Sequence, residues 1–72
     1  MVVDKLVELS GAAPFHPFQV FLSDGRECAV NHPDYIAVDV AAETATIFDE
    51  KANFADVIDI LAIVSVRHEV AA

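Results

Sequence analysis

Four side chains supply the imidazole nitrogens and the thiol sulfur that could hold a metal ion. They are His16, Cys28, His32 and His68. A structural zinc site combines two close pairs of such ligands, and the chain does not contain two such pairs. His32 and Asp34 flank a proline, an arrangement that turns also use without a metal. The sequence therefore predicts no metal site and no bound cofactor.

Cys28 paired with a histidine would be the candidate for nucleophilic catalysis. The residue alternates with Val30 on a predicted strand and lies opposite Val20 on the preceding one, which places its thiol on an apolar face. A thiol buried among apolar side chains is unreactive. Cys28 is therefore predicted to be a core residue.

Most carboxylates fall in predicted turns and at outward strand positions. They include Asp24, Asp34, Asp39, Glu43, Asp49, Glu50, Asp56 and Asp59. Acid–base catalysis needs a carboxyl group with a shifted pKa inside a pocket, and a small domain leaves little room for one. Gly11 and Gly25 are the only glycines, so no phosphate-binding loop is possible. We predict no catalytic residue and no enzymatic activity. A small enzyme subunit is the hypothesis that we rank third, after the two given below.

The net charge of the chain indicates which classes of partner it could bind. Twelve acidic residues face four scattered basic ones, which gives a net charge of −8. Such a charge repels phosphate backbones and anionic lipids, so we predict neither a nucleic-acid nor a membrane partner. A basic protein surface fits better, and an acidic inhibitor or decoy of such a surface is the second alternative.

The apolar content is high for the length. Apolar residues make up 56% of 72 residues, against about 45–50% in soluble domains. One domain over residues 1–72 has little interior, and the single cysteine excludes an internal disulfide. The first residues carry charges where a signal peptide would be apolar. We expect a cytoplasmic protein that is stabilised as a homo-oligomer or by a protein partner.

The elements that position these residues are a helix and a series of strands. Residues 4–10 are predicted to be helical, with Val3, Leu6, Val7 and Ser10 on one stripe. Residues 18–22 and 27–31 form a hairpin with Asp24 and Gly25 at its tip. A three-residue loop of residues 23–25 gathers the apolar side chains on one face, whereas a two-residue turn mixes polar and apolar ones.

The remaining segments continue the sheet. Residues 31–34 predict a turn or sharp bend, because proline cannot donate to a central ladder. Residues 36–40 and 44–48 are predicted strands. The β-branched content of the last third favours a strand over 55–58, a helical turn over 60–62 and a strand over 64–68. A helix over 54–61 is the stated alternative.

This order resembles the Sm-like small barrel, in which a helix caps a strongly bent five-stranded antiparallel sheet. The local matches are Leu22-Ser23-Asp24-Gly25-Arg26 and Ile63-Val64-Ser65-Val66. The resemblance implies a mainly β fold, with the sheet or small barrel over 18–68, and ring or dimer formation through sheet edges. Sm-like proteins commonly bind RNA, but the basic and aromatic positions for this are missing here.

Three short patterns also resemble a group of small uncharacterised bacterial proteins, and this resemblance implies no activity. They are Pro14-Phe15-x-Pro17-Phe18, Leu22-x-Asp24-Gly25-Arg26 and Val30-x-His32-Pro33-Asp34.

The aromatic residues are too many for so small an interior. The candidate interface residues are Phe15, Phe21, Tyr35, Phe48 and Phe54. Phe21 lies on the outer face of the hairpin opposite Glu27, where it is either uncovered or covered by the helix. The sequence thus predicts a non-enzymatic interaction or scaffold module that self-associates.

Overall fold

One helix and six strands make up the fold of the computed structural model, which describes residues 2–49, 51 and 53–70. The elements are α1 (Val2–Ser10), β1 (Phe18–Leu22), β2 (Glu27–Val30), β3 (Ile36–Asp39), β4 (Thr44–Asp49), β5 (Phe54–Asp59) and β6 (Ile63–His68). Two short 3₁₀ turns interrupt the strands: the bend turn, Pro33–Tyr35, and the crossover turn, Ile60–Ala62. The predicted mainly β fold with a short N-terminal helix is confirmed.

The described strands form two antiparallel sheets of three strands, in the orders β2-β1-β6 and β3-β4-β5. The predicted single five-stranded sheet or closed Sm-like barrel is therefore wrong. At the bend turn, His32 Nδ1 accepts a hydrogen bond from the Asp34 N–H at 3.1 Å, and Pro33 starts the turn. The predicted turn or bend therefore separates β2 from β3, which belong to different sheets.

The crossover turn makes the second break. The Asp59 carboxylate accepts a hydrogen bond from the Leu61 N–H at 2.9 Å and so caps the turn. The turn is anchored at both ends, because the Ile60 N–H donates to Glu43 O at 2.9 Å and Ala62 O accepts from the Ser23 N–H at 2.8 Å. It therefore carries the chain from β5 in one sheet to β6 in the other. The alternative helix over 54–61 is wrong, since those residues form β5 and the start of this turn.

The hairpin has the predicted register. Phe18 lies opposite Val30 and Val20 lies opposite Cys28. The Leu22 N–H donates to Arg26 O at 2.9 Å, which leaves three residues in the loop, and Gly25 adopts a φ of +91°. Glycine takes this left-handed conformation without the steric cost that a Cβ would add.

The helix begins at Val2, two residues before the predicted start, and packs mainly against β3 and β6. Leu6 is fully buried, and Val2, Val3 and Leu9 pack against the core. Val7, placed on the buried stripe by the sequence, is instead 43% exposed. The inward stripe of the helix therefore consists of Val2, Val3, Leu6 and Leu9, and Val7 lies outside it.

The core consists of inward strand residues from both sheets together with Leu6 and Ile60. Its buried members are Leu6, Phe18, Val20, Leu22, Val30, Ile36, Ala45, Ile47, Ile58, Ile60 and Ile63. No polar or charged side chain is buried among the described residues. The core is thus a purely apolar layer between the two sheets.

Candidate interaction surfaces

Cys28 lies at the margin of the core rather than inside it. The thiol is half-buried and packs against the core, because β2 is an outer strand of its sheet. Burial raises the pKa of the Cys28 thiol, and the nearby Asp56 carboxylate raises it further. A thiol that holds its proton is a poor nucleophile. The predicted full burial is wrong, while the proposed unreactive character agrees with this environment.

A cavity of about 250 Å³ opens beside Cys28, and we call it the acidic cavity. Its lining includes Glu27, Tyr35, Phe48, Asp49, Lys51 and Asp56. No histidine is among the described residues that line it, so the sequence-suggested cysteine–histidine pair does not form there. Asp56 also lies 4.0 Å from Arg26 Nη1.

The histidines do not gather around a metal position. Among residues 2–49, 51 and 53–70, no group of three His, Cys, Asp or Glu side chains is arranged to hold a metal ion. His32 Nδ1 lies 3.6 Å from Asp34 Oδ2 and caps the bend turn. Since Nδ1 accepts the Asp34 N–H, the proton of a neutral His32 resides on Nε2. The pair therefore has a structural use in the turn.

The five aromatic candidates separate into two sets. Phe15 packs against the core, with its ring centroid 5.9 Å from that of Phe18. Phe21 is half-buried on the outer face of the hairpin, opposite Glu27, and the helix packs mainly against other strands. Neither Phe15 nor Phe21 lines the groove that the other three candidates line.

Tyr35, Phe48 and Phe54 line one open groove, which we call the aromatic groove. Tyr35 ends the bend turn, Phe48 lies near the end of β4 and Phe54 begins β5. Phe48 is 43% exposed and Phe54 is 70% exposed. The fold thus brings together three aromatic side chains that are 13 and 6 residues apart in the sequence.

Two carboxylates complete the aromatic groove. Asp34 precedes Tyr35 and is largely exposed, and Asp49 lies across the β4–β5 ladder from Phe54. No Lys or Arg is among the described residues that line the groove. The groove shares Tyr35, Phe48 and Asp49 with the acidic cavity, so the two are adjoining parts of one depression.

A second exposed region is aliphatic and was missed by the sequence analysis. We call the pair Val40 and Leu61, which are 57% and 75% exposed, the aliphatic surface. Val57 of β5 and Val64 of β6 are also exposed, at 69% and 62%. Val40 and Leu61 line one cavity together with Val2 and Val3. Val64 is the additional residue of a bulge in β6, since Ser65 pairs with Phe21 and Ile63 pairs with Leu22.

A signal for the exposed valine of β5 was present in the sequence. Ile58 occupies an inward position, so its neighbour Val57 points outward. Val64 lies in the bulge, where this alternation is interrupted.

None of the helices in the described part of the chain is long and apolar enough to cross a membrane. No protein-family model, no curated protein and no solved structure matches the chain.

Proposed function

We propose that this protein is a non-enzymatic interaction module that binds a second copy of itself through the aliphatic surface. The exposure of Leu61, three-quarters uncovered on a turn that is anchored to both sheets, is the observation that carries the proposal. Burial of such a side chain stabilises an assembly by about 1.5–3 kcal/mol.

The exposed area supports the same proposal. The chain exposes 4872 Å², whereas a monomer of 7.8 kDa is expected to expose about 4,400 Å². A standard interface covers about 800 Å² on each partner. No described residue that lines the cavity at the aliphatic surface also lines the aromatic groove.

The strand edges beside this surface favour association as well. Among the described strands, β5 and β6 are each one of the two outer strands of their sheets, and the crossover turn joins them. Outer strands present backbone groups that another chain can pair with. Two copies that each carry a net charge of −8 repel each other. Contact through an apolar region is therefore more favourable than contact through an acidic one.

Cytoplasmic location and the absence of cofactor, nucleic-acid and membrane partners remain parts of the proposal. They rest on the composition and charge.

The test is the molar mass in solution, measured by light scattering over a range of micromolar concentrations. We expect a concentration-dependent oligomer, and we expect Leu61→Ser to shift it toward the monomer. Val70→Ser is the matched control, because Val70 is 78% exposed but lies beyond β6. A monomer at every concentration, or equal shifts in both variants, would contradict the proposal.

A further inference from the structure

We propose that the aromatic groove and the adjoining acidic cavity bind an extended peptide segment that carries arginine or lysine side chains. This inference does not depend on the self-association proposed above, because the aliphatic surface consists of other residues. It assigns a partner of defined chemistry to three of the five aromatic candidates.

The aromatic rings supply the first part of the argument. Tyr35, Phe48 and Phe54 line the groove, and the last two expose much of their surface. The face of an aromatic ring attracts a guanidinium or ammonium group. Arginine also stacks its planar group on such rings. A groove of exposed rings therefore offers contacts to the apolar stem and the charged head of a basic side chain.

The carboxylates supply the second part, by charge complementarity. Asp34 and Asp49 line the groove, and Glu27 and Asp56 line the acidic cavity. Lys51 is the only Lys or Arg among the described residues that line either part. Asp49 has partners within the chain and accepts the Lys51 N–H at 2.9 Å, and Asp56 lies 4.0 Å from Arg26 Nη1. Asp34 and Glu27 add two exposed carboxylates, so the excess of negative charge attracts a cationic peptide and repels an anionic one.

The third part concerns the shape of the partner. Glu27 and Ala29 of β2 line the acidic cavity, and β2 is an outer strand of its sheet. Leu22 and Arg26 form a hydrogen-bonded pair. Antiparallel ladders alternate, so the N–H and C=O groups of Glu27 and Ala29 point away from β1. An extended segment can hydrogen-bond to such an edge while its side chains reach neighbouring pockets.

Fluorescence anisotropy with two labelled octapeptides tests the inference. One peptide alternates arginine with valine, and the other has glutamate in place of arginine. We expect the arginine peptide to bind, with an affinity that falls as the ionic strength rises from about 0.01 M to 0.15 M. We expect no binding of the glutamate peptide. Equal binding of both peptides, or of neither, would overturn the inference.

Variants locate the binding in the groove. Phe54→Ala and Asp34→Asn should each weaken binding of the arginine peptide by about two- to five-fold, as expected for exposed cation–π and charge contacts. The matched controls are Val70→Ala and Glu8→Gln, which remove an exposed apolar and an exposed acidic side chain elsewhere. Unchanged binding in the groove variants, or equal losses in the controls, would show only a net-charge effect and overturn the inference.

A second copy of this chain is the competing occupant. Light scattering of the Phe54→Ala and Leu61→Ser variants separates the two. Should Phe54→Ala dissociate an oligomer while the arginine peptide fails to bind, the groove would be part of the self-association interface and the present inference would be wrong.

Discussion

The β1–β2 hairpin and the β5–β6 segment are both built from alternating residues, but they use their outward positions differently. In β1 the inward residues Phe18, Val20 and Leu22 are buried, while Gln19 and Phe21 remain partly covered on the outer face. In the β5–β6 segment, apolar residues occupy inward positions and outward ones, so Val57 and Val64 are exposed beside Ile58 and Ile63. The hairpin thus stabilises the monomer, whereas the outward residues of β5–β6 are available to a partner.

Two leucines provide the largest test of this comparison. Leu22 is 4% exposed in the hairpin, and Leu61 is 75% exposed in the crossover turn. We expect Leu22→Ala to lower the free energy of unfolding by about 2–4 kcal/mol, because it leaves a cavity opposite Ile63. Leu61→Ala should change it by less than about 0.5 kcal/mol. Urea unfolding of dilute protein measures both, and similar losses would contradict the division into buried and available residues.

The hairpin tip also differs from the β3–β4 turn, whose Glu43 O accepts the Ile60 N–H of the crossover turn, and this gives the second prediction. Gly25 has a φ of +91° at the hairpin tip, while Glu43 has a φ of +55° between β3 and β4. Gly25→Ala should cost about 1–2 kcal/mol of unfolding free energy through backbone strain. Glu43→Gly should instead raise it by up to about 0.5 kcal/mol, because the relief of strain exceeds the added chain entropy.

Gly11→Ala is the control for Gly25→Ala. An added Cβ at Gly11 meets Val7 O at an ordinary 3.5 Å, so we expect little loss of stability. Thermal unfolding of Gly25→Ala, Glu43→Gly, Gly11→Ala and the parent protein orders these effects. A loss at Gly11 as large as that at Gly25 would show that side-chain volume, rather than φ, decides the cost.

The third prediction concerns the place where the hairpin faces the second sheet. Asp56 of β5 helps to raise the pKa of the Cys28 thiol of β2, in addition to the larger effect of burial. Asp56→Asn should therefore lower that pKa and increase the thiolate fraction near pH 8. We expect faster alkylation of Cys28 by iodoacetamide in this variant than in the parent.

Asp59→Asn serves as the control for the alkylation experiment, since Asp59 caps the crossover turn and is not among the groups that affect the thiol. The pH dependence of the rate reports the thiol pKa directly. An unchanged rate in Asp56→Asn would mean that β5 does not approach β2 as the acidic cavity requires.

Local patterns predicted the hairpin, the bend, the crossover turn and the approximate strands, because turn chemistry and alternation act between neighbouring residues. The partition into two sheets was not predictable in this way. It depends on whether the chain stays in one ladder through Pro33 and where β6 pairs after the crossover turn. Both features depend on pairing between segments that are distant in the sequence, and the alternation of apolar residues within one segment gives no information about such pairing.

The groove shows the same limit on prediction. Tyr35, Phe48 and Phe54 were selected as excess aromatics, but their meeting beside Asp34 depends on the fold. Phe15 had the same sequence character and packs against Phe18 instead. Residue type therefore indicated the candidates. The three groove residues could be distinguished from Phe15 only once the fold had placed the bend turn beside the adjoining ends of β4 and β5.

The smallest expected effect lies at the hairpin tip. The pKa of Asp24 is lowered, first by the hydrogen bond from the Arg26 N–H at 3.0 Å and then by the bond from Arg26 Nε at 2.8 Å. A lowered carboxyl pKa adds stability that is present above the unfolded value of about 3.9. This stability is lost as the pH falls through the folded value. Asp24→Asn should therefore flatten the acid limb of the unfolding free energy below about pH 4.

Arg26→Gln separates the two hydrogen bonds. It removes the guanidinium and keeps the N–H, so the pKa of Asp24 should rise in this variant and still remain below its ordinary value. Carbon-13 NMR titration of the Asp24 carboxyl group measures this, with Arg67→Gln as a control that removes the same charge from β6. A complete return to the ordinary pKa would assign the effect to the guanidinium. In that case the hairpin tip would depend on a surface ion pair, whereas backbone hydrogen bonds hold the crossover turn at both ends.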